Sequence, residues 1–309
     1  MVLRAEPVTT PPEATASRLE VSVETRPPTV LNRLELLMQP ASGTSPIAVV
    51  TGASAGIGEA TARRLRKDGW QLVLVARRVE RLRSLADELG GATVVAVDLT
   101  EEEAPARVRE TVQTEHGAVH LLLNNAGAAW RGRFDESGWG NIDRHMKVNF
   151  EAPVRLTEAL LPLLRETAGA NQTNIRVSIV NVASTAGRVS RPNSGAYSAS
   201  KFALIGWSDA LHAEERPHGV HVGLVLPGFV ETEGFPAREL RARALTRWIV
   251  SKPQVVAEAI LEAGPGGKAE RYVPRPYGVA AAARVLAPAL VRRATAGGAF
   301  TTSTAASER

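Results

Sequence analysis

Tyr197 and Lys201 stand four residues apart in a stretch with helical spacing, Gly195 to about Arg216. That separation places their Cβ atoms about 5–6 Å apart on one helix face. A phenol with an ordinary pKa of about 10 is a poor acid–base at neutral pH, and a neighbouring ammonium favours its ionised form. The pair can then exchange a proton with an alcohol or carbonyl oxygen. Hydroxyls that could hold the same oxygen are plentiful, because Ser178, Ser184, Ser190, Ser194 and Ser198 all lie close by in the chain. A Tyr-x-x-x-Lys alone is common by chance, so its weight comes from its surroundings.

The second constellation is Thr51-Gly-Ala-Ser-Ala-Gly-Ile-Gly58, between an apolar run and a helical pattern. Glycines at 52, 56 and 58 remove Cβ atoms that would block a pyrophosphate from the backbone. The next helix adds free N–H groups and the positive end of its dipole. Further on, a second apolar run ends Val75-Ala76-Arg77-Arg78. An acidic residue there would bind a ribose 2′-hydroxyl, whereas a guanidinium grips a 2′-phosphate with two charge-assisted bonds. Arg77, with Arg78 as helper, therefore favours NADP(H) over NAD(H). The bland alternative is a solvated helix start, since Arg81 and Arg83 follow.

Elements must hold these residues together, and the chain supplies an alternation of strands and helices. Strands are expected at Ile47–Thr51, Gln71–Ala76, Thr93–Val97, His120–Asn124, Arg176–Val182, Val220–Leu226 and Arg271–Val273. Helices are expected at Ile57–Asp68, Val79–Leu89, Glu101–Glu115, Asn141–Thr167 and Gly195–Arg216. That pattern predicts an α/β, doubly wound, Rossmann-type parallel sheet of about seven strands with helices on both faces. Ligands then bind at the carboxyl ends of its strands. Residues 45–275 would form one domain carrying both sites. Residues 1–44, rich in Pro, Thr, Ala, Glu and Ser, read as a disordered extension with a helical turn or two near Leu31–Met38. Residues 276–309 read as a basic, partly helical extension.

With these motifs in order, the chain resembles the short-chain dehydrogenase/reductase family, with its TGxxxGIG and YxxxK signatures. The likeness runs from Thr51 to Thr232, through Asn124-Asn-Ala-Gly127, Asn149, Ser184, Tyr197-x-x-x-Lys201 and Pro227-Gly228. The resemblance implies a catalytic set of Asn149, Ser184, Tyr197 and Lys201. Tyr197 would be the general acid/base, and Lys201 would tune it and bind the nicotinamide ribose. Ser184, in Asn181-Val-Ala-Ser184-Thr-Ala-Gly187, would hold the substrate oxygen, and Asn149 would anchor a relay water. Ala183 stands where many members carry another serine. The resemblance implies cofactor contacts from Gly52, Ser54, Ala55, Gly56, Ile57, Gly58, Arg77 and Arg78. It adds Asp98 and Leu99 at the adenine, Asn125, Ala126 and Gly127 along the adenosine, and Pro227, Gly228, Val230 and Thr232 near the carboxamide. The implied activity is NADP(H)-dependent interconversion of a ketone or aldehyde and an alcohol. The alternatives are an NAD-dependent alcohol dehydrogenase of the same fold and a non-catalytic nucleotide-binding scaffold. Family members usually pair through their two long helices, so a homodimer or homotetramer is expected.

Composition excludes other chemistry. The 309 residues contain no cysteine, which removes disulfide scaffolds, thiol nucleophiles and iron–sulfur clusters together. The six histidines show no metal-ligand spacing, and no metal is expected. The net charge of +5 equals the surplus within residues 264–309, yet no nucleic-acid reading motif accompanies it. A cytoplasmic location is expected because no signal-like or spanning apolar run occurs. Residues Glu231–Val250, which carry Phe235, Leu240, Leu245 and Trp248 among Arg238, Arg241, Arg243 and Arg247, suggest a largely apolar small-molecule substrate, with room for an anionic group. Tyr277–Ala294 reads as an amphipathic helix interrupted near Pro288, packing on a dimer or the substrate entrance, or else touching a membrane surface.

Overall fold

The computed structural model describes residues 45–170, 173–233 and 249–296. The expected turns near Leu31–Met38 lie outside them, as does most of the Glu231–Val250 segment. Five-residue β1 (Ile47–Thr51) is buried along its whole length, as a central parallel strand must be. It is flanked by β2 (Gln71–Ala76) and β4 (Leu121–Asn124) in parallel register, with Val49 opposite Val73 and Leu122. Outward on one side lies β3 (Thr93–Ala96). On the other lie β5 (Ser178–Val182), β6 (His221–Pro227) and β9 (Glu270–Val273), giving a seven-stranded order β3-β2-β1-β4-β5-β6-β9. The order reverses between β1 and β4, and that switch opens the crevice where ligands bind.

Successive strand side chains point to opposite faces, so the sheet has two cores. Val50, Leu72, Leu74, Leu123 and Val180 pack with Leu65 of α1 (Gly56–Lys67), Leu82 and Leu85 of α2 (Val79–Glu88) and Ile260 of α7 (Pro253–Ala263). Val49, Val73, Leu122 and Ile179 pack on the other face with Val108 of α3 (Ala104–Glu115), Leu156 and Leu160 of α5 (Ala152–Ala170) and Leu211 of α6 (Gly195–Glu215).

Three differences from the sequence reading matter for the site. The long helix expected over Asn141–Thr167 is helical throughout, but it carries a π-turn at Lys147–Glu151 between α4 (Phe134–Met146) and α5. Periodicity reads straight through such a turn because only one residue is inserted. Helix α7 is absent from the sequence expectation, although Lys252-Pro253 followed by Val256, Ala259 and Ile260 has the proline-at-start and apolar spacing of one. It covers the sheet face beside α1, with Arg64 reaching Glu258 at 2.6 Å. A two-stranded ribbon of β7 (Phe229–Val230) and β8 (Val250–Ser251) closes the base of the undescribed segment. The interruption near Pro288 is real: α8 (Tyr277–Leu286) ends and α9 (Pro288–Ala296) begins there.

Candidate active site

The glycine turn after β1 is held by side chains from β4. Thr51 Oγ1 donates to the Leu123 carbonyl at 2.9 Å and accepts from the backbone N–H groups of Asn125 and Ala126 at 2.9 and 3.0 Å. Asn125 Nδ2 donates to the Thr51 carbonyl at 2.9 Å. The Asn125 side chain therefore joins two strand ends, leaving its neighbours' backbone to line the crevice. Gly52 has φ +65° and a Cβ there would sit 2.7 Å from Asn125 Nδ2. A Cβ at Gly58 would run into the Gly52 carbonyl oxygen, so α1 can approach the turn only with glycine there. Ala55 at the α1 N-cap makes no side-chain bond to the first-turn N–H groups. That leaves donors and a positive dipole end for an anion, and the cradle fits a dinucleotide pyrophosphate. Across the turn, Thr232 Cγ2 would lie 3.0 Å from a Cβ at Gly56, which brings the segment after β6 against the loop.

Beyond the β2 end the two arginines diverge. Arg78 donates to Ser54 Oγ at 3.1 Å and to the Ser54 carbonyl at 3.2 Å, so it is the guanidinium seated on the glycine loop. Arg77 is exposed and reaches Asp98 at 3.4 Å. Burial raises the Asp98 carboxyl, but the Thr100 N–H and hydroxyl together with Arg77 outweigh it and hold it below the usual range. Leu99 is buried. Arg78 and Arg81 also meet Glu233, at 3.2 and 2.7 Å. Sequence reasoning missed this acid, which has no motif of its own.

The four residues expected to form the catalytic set converge past the carboxyl end of β5. Ser184 caps a short 3-10 turn, its Oγ accepting from Ala186 N–H at 3.1 Å and donating to the Pro227 carbonyl at 3.4 Å. Near it lies Tyr197, in the first turn of α6, whose phenol feels the Ser184 hydroxyl. Lys201, one turn on, is buried and donates to the Val182 carbonyl at 2.9 Å, with Nζ 6.0 Å from the Tyr197 ring centre. Asn149 sits fully buried in the π-turn. It clamps Ala128, accepting from its N–H and donating to its carbonyl at 2.9 Å each, and donates to Ser200 at 3.1 Å. A Cβ on Gly127 would lie 2.8 Å from Asn149 Oδ1 and 3.6 Å from Lys201 Nζ, so these three share one pocket wall.

The electrostatics differ from the sequence expectation in one respect. Burial pushes the Tyr197 phenol up, and the Ser184 hydroxyl and the Arg191 charge only partly offset that. Lys201 was expected to ionise it, but the lysine is itself desolvated, its pKa lowered to about 8. Burial disfavours the charged form of each group. His145 also escaped the sequence reading. It is buried, stands edge-on to Tyr197 at 6.1 Å, and accepts from Trp130 N–H at 3.0 Å while its Nδ1 faces the Asn141 carbonyl at 2.6 Å. The helical spacing of His145 and Asn149 was the available signal.

Pro227 ends β6 and Gly228 follows it, and the Tyr277 ring lies where a Gly228 Cβ would be. Val230 is buried in β7. Among the described residues no group of histidines and carboxylates could hold a metal ion, and no helix is long and apolar enough to cross a membrane.

A parallel sheet whose switch point carries a glycine cradle and a Tyr/Lys/Ser/Asn cluster defines a dinucleotide-dependent oxidoreductase class. The family model for short chain dehydrogenase matches residues 46–241, and the chain belongs to that family. Dehydrogenase/reductase SDR family member 7B of Danio rerio is 32% identical over 196 residues, covering 60% of this chain and 61% of that protein. Sulfoacetaldehyde reductase 2 of Chromohalobacter salexigens is 37% identical over 197 residues, covering 61% and 74%. The match thus spans about three fifths of the first relative's length. A short chain dehydrogenase from Burkholderia cenocepacia in complex with NADP superposes with TM-score 0.68 at 26% identity, covering 81% of this chain and 97% of that one.

Proposed function

We propose that the protein is an NADP(H)-dependent reductase of ketones or aldehydes. The observation that carries this reading is the single cluster of Ser184, Tyr197, Lys201 and Asn149 beside the glycine cradle. NADP(H) held on Gly52, Ser54, Ala55, Gly56, Ile57 and Gly58, with Arg78 and Arg77 at the 2′-phosphate and Thr232 at the far end, supplies the hydride. Asp98, Leu99, Ala126, Gly127, Pro227, Gly228 and Val230 line the same crevice. The NADP complex of the Burkholderia structure supports this choice of cofactor.

In the reductive direction Ser184 Oγ donates a hydrogen bond to the carbonyl oxygen, and Tyr197 Oη gives it a proton as negative charge builds there. A phenol held protonated by burial suits an acid rather than a base. Lys201 keeps a positive charge beneath the phenolate that remains. Asn149 fixes the Ala128 backbone and positions Ser200 behind the lysine. Because the Tyr197 pKa is raised, reduction should hold its rate through neutral pH, whereas alcohol oxidation, which needs the phenolate, should climb as pH rises.

The test is a fluorescence titration with NADPH and NADH on wild type, Arg77→Ala and Arg78→Ala, followed by a carbonyl screen. NADPH should bind at least ten-fold tighter than NADH, with Arg78→Ala removing most of the difference. Equal affinity for the two cofactors defeats the 2′-phosphate reading, and no binding of either brings the scaffold alternative forward. Tyr197→Phe should lose at least 10²-fold in turnover with cofactor affinity retained. The expected homodimer or homotetramer, and the extent to which residues 45–275 act as one domain apart from the flanking segments, are part of the same proposal.

A further inference from the structure

Arg191 is a cation inside the pocket that the mechanism above does not use. It lies between the 3-10 turn carrying Ser184 and the first turn of α6 carrying Tyr197. Its guanidinium carbon stands 4.7 Å over the Phe229 ring of β7. Its charge reaches both Tyr197 and Tyr277, and burial, together with Arg131, depresses its pKa. Arg131 belongs to the facing loop after β4, which the Gly132 N–H ties to the Asn193 carbonyl at 3.1 Å. Among the described residues no carboxylate pairs with Arg191.

A half-buried guanidinium that no described carboxylate pairs is completed by an anion, which its N–H groups can hold with charge-assisted hydrogen bonds. Contact with the Phe229 ring holds the guanidinium carbon on one side, and the N–H groups can take a carboxylate or sulfonate with two hydrogen bonds. We propose that Arg191 is a substrate-specificity residue, and that the substrate is a short aldehyde or ketone bearing a carboxylate or sulfonate. The carbonyl oxygen meets Ser184 and Tyr197 while the anion meets Arg191. This narrows the largely apolar ligand expected from the sequence, keeping the apolar contact at Phe229 and Tyr277 and adding a charge. The carbonyl half rests on the reductase reading, but the anion half does not.

Binding and turnover separate the two. Butanoate, propanesulfonate and neutral butanamide are titrated calorimetrically into the full-length protein, wild type and Arg191→Met. NADPH consumption is then followed with 4-oxobutanoate and with butanal. Wild type should bind the two anions at least ten-fold tighter than butanamide and prefer 4-oxobutanoate over butanal at least thirty-fold in kcat/KM. Arg191→Met should collapse both ratios to within about three-fold, and Arg191→Lys should restore part of each, since an ammonium keeps the charge without the fork. Arg109→Met, an exposed change on α3, should keep the wild-type ratios and so excludes a bulk charge effect. Equal wild-type affinity for butanoate and butanamide overturns the proposal whether or not any variant folds. Anion binding through Arg191 without NADPH consumption sustains the subsite and defeats the reductase reading. Butanal turnover without anion preference does the reverse.

Discussion

The charged side chains of the crevice hold each other in place, and replacing one of them reads out what the rest are for. Glu233 sits on Arg78 and Arg81 at 3.2 and 2.7 Å, and these arginines hold its carboxyl below the ordinary range. It competes for the guanidinium assigned to the 2′-phosphate. Glu233→Gln should therefore tighten NADPH binding several-fold and leave NADH nearly unchanged, as read by fluorescence titration; equal gains for both cofactors would assign Glu233 to another role. Lys201 is a cost of a different kind. Its pKa of about 8 in the folded protein lies below the value of 10.5 for a solvated lysine. The unfolded chain thus binds more protons between those values, and stability rises as pH climbs from about 8 to 10.5. At pH 7 the buried charge costs at most about 3 kcal/mol. Lys201→Met should abolish turnover yet raise the Tm at pH 7, with the gain shrinking towards pH 10.5. A lower Tm at pH 7 would mean that the bond to the Val182 carbonyl outweighs desolvation.

Two elements carry the geometry on which those residues depend. The π-turn at Lys147–Glu151 turns Asn149 inward, where one amide satisfies both polar groups of Ala128 and the Ser200 hydroxyl. Asn149→Ala leaves buried partners unpaired, costing about 1–3 kcal/mol. It should also lower kcat more than it raises KM, because what it fixes is the backbone beside Lys201 rather than the substrate. Denaturant melts and steady-state kinetics on one preparation check both halves. The α1 start behaves differently. Gly58→Ala drives a methyl group into the Gly52 carbonyl, an overpacking worth about 1–3 kcal/mol. It should weaken NADPH and NADH alike, which distinguishes damage to the pyrophosphate cradle from damage at the arginines.

At the scale of the whole molecule, the C-terminal helices belong to the pocket as much as to the periphery. Tyr277 opens α8, packs its ring on Gly228, and donates to the Ile249 carbonyl at 3.4 Å, so it joins β6, the ribbon and α8. Burial lifts its phenol to about 12, and it stays a neutral donor at working pH. Chain ending at Arg275 should bind cofactor but show at least ten-fold higher KM for substrate. Unchanged KM would make residues 277–296 a mere appendage. Beyond Tyr277, Val279, Val285, Leu286 and Leu290 are each more than two thirds exposed, which makes α8 and α9 the apolar surface to examine when the oligomeric state is measured.

The glycine spacing, the arginines after β2, the Tyr-x-x-x-Lys pair and the strand–helix alternation are local, so the sequence alone determined the fold class and singled out the glycine turn and the Ser/Tyr/Lys/Asn cluster on which the proposed function rests. Each is a property of residues within one turn or one strand, where spacing translates directly into which side chains share a face. What only the tertiary structure decided is what lies across the pocket. It chose Arg78 rather than Arg77 as the guanidinium on the glycine loop, set Glu233 against it, and put burial above the lysine in setting the Tyr197 pKa. It also inserted a π-turn at Asn149 and placed Arg191 over Phe229. These depend on the approach of segments tens of residues apart and on how much water their packing removes. Desolvation belongs to the assembled molecule and has no period in the chain.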